Sequence, residues 1–272
     1  MPSSYNVRKK YFRTIQQELV QRLQLDNEAR YSLTENSLAR IQAAIIADCV
    51  KSAGHVPAQS IITDGTASIG GNVFAFVDFF MGVHAVEVHE QRSHMLAHNV
   101  DVLDLKEKVL VWQGDITCVE AVSRYFRHDV LFLDPPWTGT GYKNMPKLSL
   151  FLTGKSLMQV CNEWADSTML IALKLPLNFD FDAFFHVSQP QRYQQMERVV
   201  LGYRKKMFGT ISCDAYVVKN NKLVTRMRHP KMILLVLRTI LEYTQCRAEM
   251  VQDEISPGSS CGACVQEKLE PT

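Results

Sequence analysis

The sequence predicts an α/β domain built on a mostly parallel sheet, preceded by a helical extension. Three observations predict it. From Ser60 onward, short apolar runs alternate with helix-periodic stretches. Four of those runs stop at or beside an acid: Asp64, Glu87, Asp115 and Asp134. Before residue 55 the pattern is helical, with no alternating stretch. Crossovers of one hand place parallel strand ends along one edge, where ligands bind. The four acids are expected to meet there.

The elements follow in order. Tyr11, Ile15, Leu19 and Leu23 are four apart, which predicts an amphipathic helix over 5–24. Leu25-Asp26-Asn27 breaks it. Thr34 opens a second helix to about Lys51, with Leu38, Ile41, Ile45 and Ile46 on its apolar face. Ile61-Ile62-Thr63 is a buried strand turning at Asp64-Gly65, and Gly70-Gly71-Asn72 leads into a helix from Val73 to Met81. Val83 to Val88 is a strand, followed by a helix to about Val102. Val109 to Trp112, Val130 to Leu133 and Met169 to Leu173 are further strands. Glu197 to Tyr203 and Thr210 to Val218 read as an antiparallel pair closing the edge. That completes a Rossmann-like sheet of seven strands. Pro230 is read as the start of a last helix to about Met250. The expected organisation is a helical extension over 1–55, a catalytic domain over 56–250, and a disordered tail over 251–272 rich in Ser, Pro and Gly.

Composition narrows the function. Apolar residues make up 46% and charged residues 21%, as in soluble globular proteins. No apolar run reaches the roughly 20 residues of a membrane-spanning helix, and MPSSYNVRKK lacks a signal-peptide core. An intracellular location, nuclear or cytoplasmic, is expected. The seven cysteines are irregularly spaced, and Cys261 and Cys264 form a lone pair without the second pair that a zinc site needs. His94 and His98 share a helix face, but no third ligand accompanies them. No metal is expected. Basic clusters at Arg8-Lys9-Lys10 and Arg204-Lys205-Lys206 suit a polyanion such as RNA, though lysines on solvated faces look the same.

Four groups carry chemistry. Asp64 to Asn72 is a strand-to-helix turn whose Gly65 and Gly70 let the backbone pass close to a ligand, beside the free N–H groups of a helix start. Glu87, 23 positions after Asp64, can accept both ribose hydroxyls of an adenosine ligand. Asp115 either accepts from an adenine amine or caps the helix that follows it. Asp134-Pro135-Pro136-Trp137 follows a wholly apolar strand. Its prolines stiffen the loop and remove N–H groups. Asp134 and the Pro135 segment can then hold an exocyclic amine, with Trp137 stacking on its ring. No Ser/His/Asp or Cys/His set is evident. Methyl transfer needs none, because in-line positioning against a good leaving group lowers the barrier.

Three stretches resemble the trimethylguanosine synthase family, which methylates N2 of 7-methylguanosine RNA caps. Leu25-Asp26-Asn27-Glu28-Ala29-Arg30-Tyr31-Ser32-Leu33-Thr34 is similar to its L-D-x-E-x-W-F-S-V-T segment. Asp64 to Asn72 is similar to its D-A-F-C-G-V-G-G-N loop. Asp134 to Tyr142 is similar to its S-P-P-W-G-G-P-x-Y. The resemblance implies a class I methyltransferase fold and S-adenosyl-L-methionine as cofactor. Thr34, Asp64, Gly65, Gly70, Asn72, Glu87, Asp115 and Asp134 would hold that donor. Capped RNA would be the partner, with Trp137 stacked on the methylated guanine, Asn99 contacting it, and Tyr142 and Lys10 along the phosphates. Asp134, Pro135 and Trp137 would form the catalytic loop. Asp134 stands where the family has serine, Ser68 where it has glycine, and Leu177 where it has an arginine, so Lys174 or Arg30 is the candidate replacement phosphate contact. The tetrad also matches adenine-N6 methyltransferases letter for letter, so an adenine acceptor stays open. A catalytically inactive cap- or partner-binding domain is the third reading, and the presence of Asp64, Glu87 and Asp115 speaks against it.

Overall fold

The computed structural model describes residues 8, 11–12, 15–27, 33–120, 122, 127–186, 192–203, 213–219, 222–223 and 229–240. The helices are α1 (Gln17–Arg22), α2 (Asn36–Ser52), α3 (Val73–Phe76), α4 (Glu90–Val102), α5 (Leu157–Trp164) and α6 (Phe181–His186). The strands are β1 (Ile61–Asp64), β2 (Gly82–Glu87), β3 (Val109–Gln113), β4 (Val130–Leu133), β5 (Phe151–Leu152), β6 (Lys155–Ser156), β7 (Leu170–Leu175), β8 (Tyr193–Tyr203), β9 (Cys213–Lys219), β10 (Lys222–Leu223) and β11 (His229–Thr239). Strands β5 and β6 form a separate small hairpin.

The main sheet runs β10-β9-β8-β11-β7-β4-β1-β2-β3. Strands β3, β2, β1, β4 and β7 are mutually parallel. Strand β11 is antiparallel to both β7 and β8, so β8 runs with the parallel set. This mostly parallel body has seven strands, as expected, and β9 and β10 extend its edge. The chain starts at β1, winds outward to β2 and β3, then returns to β4 on the other side of β1. That reversal opens a crevice beyond the carboxyl ends of β1 and β4. Asp64 ends β1 in register with Phe132, so Asp64 and Asp134 face each other across it.

Burial explains why these runs are strands. Val130 and Phe132 of β4 point into the core formed with α2, α3 and α4, while Leu131 and Leu133 point into the core formed with α5 and α6. A strand covered on both faces needs no polar alternation. Ser156 and Gln159 close a capping box at the start of α5, and buried Trp164 near its end donates Nε1 to the Ile116 carbonyl at 2.9 Å.

Two sequence expectations are corrected. The segment from Pro230 is not a helix but β11. Met232 to Leu237 is apolar at every position, a pattern compatible with a buried helix or a buried strand. The unpaired edge of β7 decides, since a strand there satisfies its backbone and is covered on both faces. Pro230 sits at a register shift near the strand start, where its missing N–H is tolerated. Ile240 lies beyond the strand, and residues 241–272, with the expected tail, fall outside the described residues. The helix expected over 5–24 is also interrupted. Phe12 donates to the Arg8 carbonyl, Arg8 and Tyr11 are helical, Gln16 is extended at φ −55° and ψ 138°, and a separate helix follows at Gln17–Arg22. Phe12, Val20 and Leu23 are the residues buried, which one straight stripe does not supply.

The N-terminal segment docks by polar contacts onto α4. The Asn99 amide accepts from the Gln24 N–H and donates to the carbonyls of Gln24 and Ile69. Arg92 pairs with Asp26 at 3.2 Å, and the His98 ring meets the Arg22 carbonyl at 3.0 Å. No helix among the described residues is long and apolar enough to cross a membrane.

Candidate active site

The β1 loop wraps round a buried carboxylate. Asp64 is fully buried, and its Oδ1 accepts from the Thr66 N–H at 3.1 Å. Its Oδ2 has no partner among the described residues. Burial pushes its pKa up to about 8; Asp134 and Glu87 add to the rise, while the Thr66 hydrogen bond and Lys174 oppose it. Gly65 is required by space, because a Cβ there would lie 2.6 Å from Ile116 and 2.7 Å from Leu133. Ser68 adopts φ 49°, a left-handed conformation that glycine takes without strain.

Next along the sheet edge, Glu87 is tied on both oxygens. Oε2 accepts from the Ser68 N–H at 2.8 Å and Oε1 from the His89 N–H at 2.9 Å. Asp115 accepts from the Thr117 N–H and hydroxyl, both at 2.8 Å. The alternative expected for it is the cap of a helix starting near Ile116; the structure has a turn at Ile116–Thr117 instead, and Asp115 closes that turn. Each Glu87 oxygen keeps a second lone pair for a ligand, while both Thr117 bonds fall on Asp115 Oδ1 and its Oδ2 is the oxygen left to accept.

The DPPW loop hangs from this frame. The Asp134 N–H donates to Thr66 Oγ1 at 2.7 Å, which joins the β4 loop to the β1 loop. Lys174, buried on β7, makes an ion pair with Asp134 and donates to Thr34 Oγ1 at 2.8 Å. Asn72 hydrogen-bonds the same carboxyl. Burial raises the Asp134 pKa, opposed by the charge and hydrogen bond of Lys174 and by Asn72. Trp137 is half-buried. Its ring meets Tyr142 edge-on at 5.2 Å, and Lys174 Nζ lies 5.5 Å from its centroid.

The structure thus brings together Thr34, Asp64, Gly65, Asn72, Asp134, Pro135, Trp137, Tyr142 and Lys174, with Gly70, Glu87 and Asp115 along the same edge. Asn99 is not brought in, because its amide is consumed by backbone partners. Lys174 is 4% exposed and faces Asp134, so the expected phosphate contact is corrected as well. Lys10 and Arg30 lie outside the described residues. Two site residues escaped sequence reasoning. Thr66 links the two loops. Asn178 donates to the carbonyls of Tyr142 and Met145 at 2.9 and 2.7 Å, fastening the 3-10 turn Gly139–Asn144 over the end of β7. The signal for Asn178 was the Leu-Pro-Leu-Asn run, where only the Leu177 position drew notice.

Four buried polar atoms here lack a partner among the described residues: Asp64 Oδ2, Ser68 Oγ, Asn72 Oδ1 and Trp137 Nε1. Buried polar atoms are rarely left so. Their chemistry, two acceptor oxygens and two donors beside three carboxylates, fits a ligand that is cationic and rich in hydrogen-bonding groups.

Comparison with known proteins finds a matching family and distant relatives. Residues 59–225 match the family described as RNA cap guanine-N2 methyltransferase. An uncharacterized protein of Acanthamoeba polyphaga mimivirus is 28% identical over 202 residues, 68% of this chain and 78% of that one. The trimethylguanosine synthase of Schizosaccharomyces pombe is 24% identical over 129 residues, 46% of this chain and 51% of that protein. A solved precorrin-6y C5,15-methyltransferase of Geobacter metallireducens superposes over 79% of this chain and 98% of its own, with 10% identity and a TM-score of 0.48.

Proposed function

The chain belongs to the RNA cap guanine-N2 methyltransferase family, and from that premise we propose that it methylates the exocyclic N2 amine of a 7-methylguanosine RNA cap. The coarser activity follows from the family and the sheet order: it is an S-adenosylmethionine-dependent methyltransferase. When bound, S-adenosylmethionine supplies a methyl group on a sulfonium, a good leaving group.

The observation that carries the cap reading is the placement of Trp137 beside Asp134 at the crevice. A 7-methylguanine is a cation, and an indole face attracts it more than a neutral base. Lys174 lies on one side of the indole, which leaves the other side for the base. Tyr142 buttresses the ring edge. Asp134 accepts a hydrogen bond from the base amine and takes its proton once nitrogen has bonded to carbon. Pro135 keeps that backbone rigid. Asp64, with its open Oδ2, Asn72 and Thr34 would hold the methionine part of the donor, Glu87 its ribose, and Asp115 its adenine.

An adenine-N6 acceptor is the second reading, because an acid in this tetrad serves either amine. Incubation with tritiated S-adenosylmethionine separates the two. Label should enter m7GTP and capped RNA. Label in uncapped adenine-containing RNA, with none in m7GTP, would reject the cap reading.

A further inference from the structure

We infer that Lys174 is a positioning residue for methyl transfer: anchored on Thr34, its ammonium keeps the Asp134 carboxylate ionised and fixed beside Trp137, where it receives the acceptor's proton. The inference rests on the methyltransferase reading above and holds for either base.

The geometry supports it. Strand β7 is buried at all six positions, and Lys174 is its one charged residue. A lysine in such a strand needs a partner, and Lys174 has two oxygens, Asp134 Oδ2 and Thr34 Oγ1. Thr34 is 140 positions away in the N-terminal segment. That segment is itself pinned by Asn99 and by the Arg92–Asp26 pair. Thr34 therefore aims Lys174 from outside the sheet.

The chemistry needs this charge. Transfer forms a nitrogen–methyl bond and breaks the sulfur–methyl bond, whose electron pair stays on sulfur as a thioether. The amine then sheds one proton. A carboxylate accepts that proton and, before it, an N–H hydrogen bond that leaves the nitrogen lone pair free to attack. A carboxylic acid would instead donate to that lone pair and block it. Among the described residues, the charged groups facing Asp134 are Lys174 from β7 and Asp64 at the end of β1, with Asn72 hydrogen-bonded to it and Glu87 beyond Asp64. Burial favours the neutral acid, and among the described residues Lys174 is the group that opposes it by charge.

The test is the pH profile of kcat for wild type, Lys174→Met, Lys174→Arg and Asp134→Asn, using whichever base the wild type methylates. In the wild type, kcat falls at low pH as Asp134 protonates. Lys174→Met should move that limb upward by at least about one pH unit, lowering kcat at neutral pH roughly tenfold and recovering it in alkali. KM for the acceptor should change far less. Lys174→Arg should keep the wild-type limb, and Asp134→Asn should remove it, separating it from Asp64. Aspartate 13C NMR of the full chain reads the Asp134 titration directly, without turnover. A folded Lys174→Met protein whose limb and Asp134 titration stay at the wild-type pH would overturn the inference. Failure of the cap reading alone shows differently, as wild-type transfer to adenine RNA with the Lys174 shift intact.

Discussion

The two halves of the crevice are built differently. On the β2 and β3 side, Glu87 and Asp115 are held by backbone amides, Glu87 by Ser68 of the β1 loop and His89 of its own turn, Asp115 by Thr117 of its own turn. On the β1 and β4 side, Asp64 is fully buried and Asp134 largely so; burial pushes both toward their neutral forms, and Asp134 relies on Lys174, 40 positions later. The first half is a set of ordinary turns whose carboxylates retain lone pairs. The second concentrates charge in a dry place and leaves Asp64 Oδ2 open. Local hydrogen bonds suffice to shape a nucleoside pocket. Polarising a transfer step takes long-range charge.

Breaking the β4 side should cost most. Asp134→Leu strands the buried Lys174 ammonium and should destabilise the fold by about 3–5 kcal/mol. Adding Lys174→Met should return most of that, because two apolar residues replace a buried pair. Chemical denaturation of both variants measures it. Recovery of less than a third would mean the pair is not the dominant partner of either residue.

Next comes Trp137→Ala. Loss of base stacking should weaken m7GTP binding by about 1–3 kcal/mol while leaving S-adenosylhomocysteine binding within about twofold. Calorimetry with both ligands reads the contrast. Equal losses would place Trp137 in the donor pocket instead.

Asp64 gives a pH prediction. Its folded pKa of about 8 lies above the ordinary 3.8, so its stabilising contribution is full below 3.8 and is lost as pH rises through about 8. A cationic donor favours the ionised form. Binding of S-adenosylmethionine should therefore tighten as pH approaches 8 and release a proton at neutral pH. Calorimetry in buffers of different ionisation enthalpy counts that proton, and Asp64→Asn should abolish it.

The smallest effect lies on the β3 side. Asp115→Ala removes one turn carboxylate and should cost about 1 kcal/mol in stability. Its effect on donor binding should far exceed its effect on m7GTP binding. The reverse order would show that the two halves do not divide their ligands as drawn.

Legibility in the sequence followed the same division. The positions of β1 to β4 could be read, because each is an apolar run ending near an acid and each turn is local. Asp64, Glu87, Asp115 and Asp134 were found for that reason. Strand β11 could not be read, since a wholly apolar run fits two periods until the open edge of β7 selects one. Asn99 was misplaced because its helix position says nothing of Gln24, 75 residues earlier. Lys174 was noticed as a cation but aimed at phosphate.

By itself the sequence determined the positions of β1 to β4, the acids at or near their ends and the stiff DPPW loop, all consequences of spacing within a few residues. Only the tertiary structure decided that Thr34, Asp134 and Lys174 form one network and that Asn99 serves the scaffold. Those contacts join segments 30 to 140 residues apart. Burial fixes them, because a charge or amide removed from water must find its partner wherever the fold has placed one.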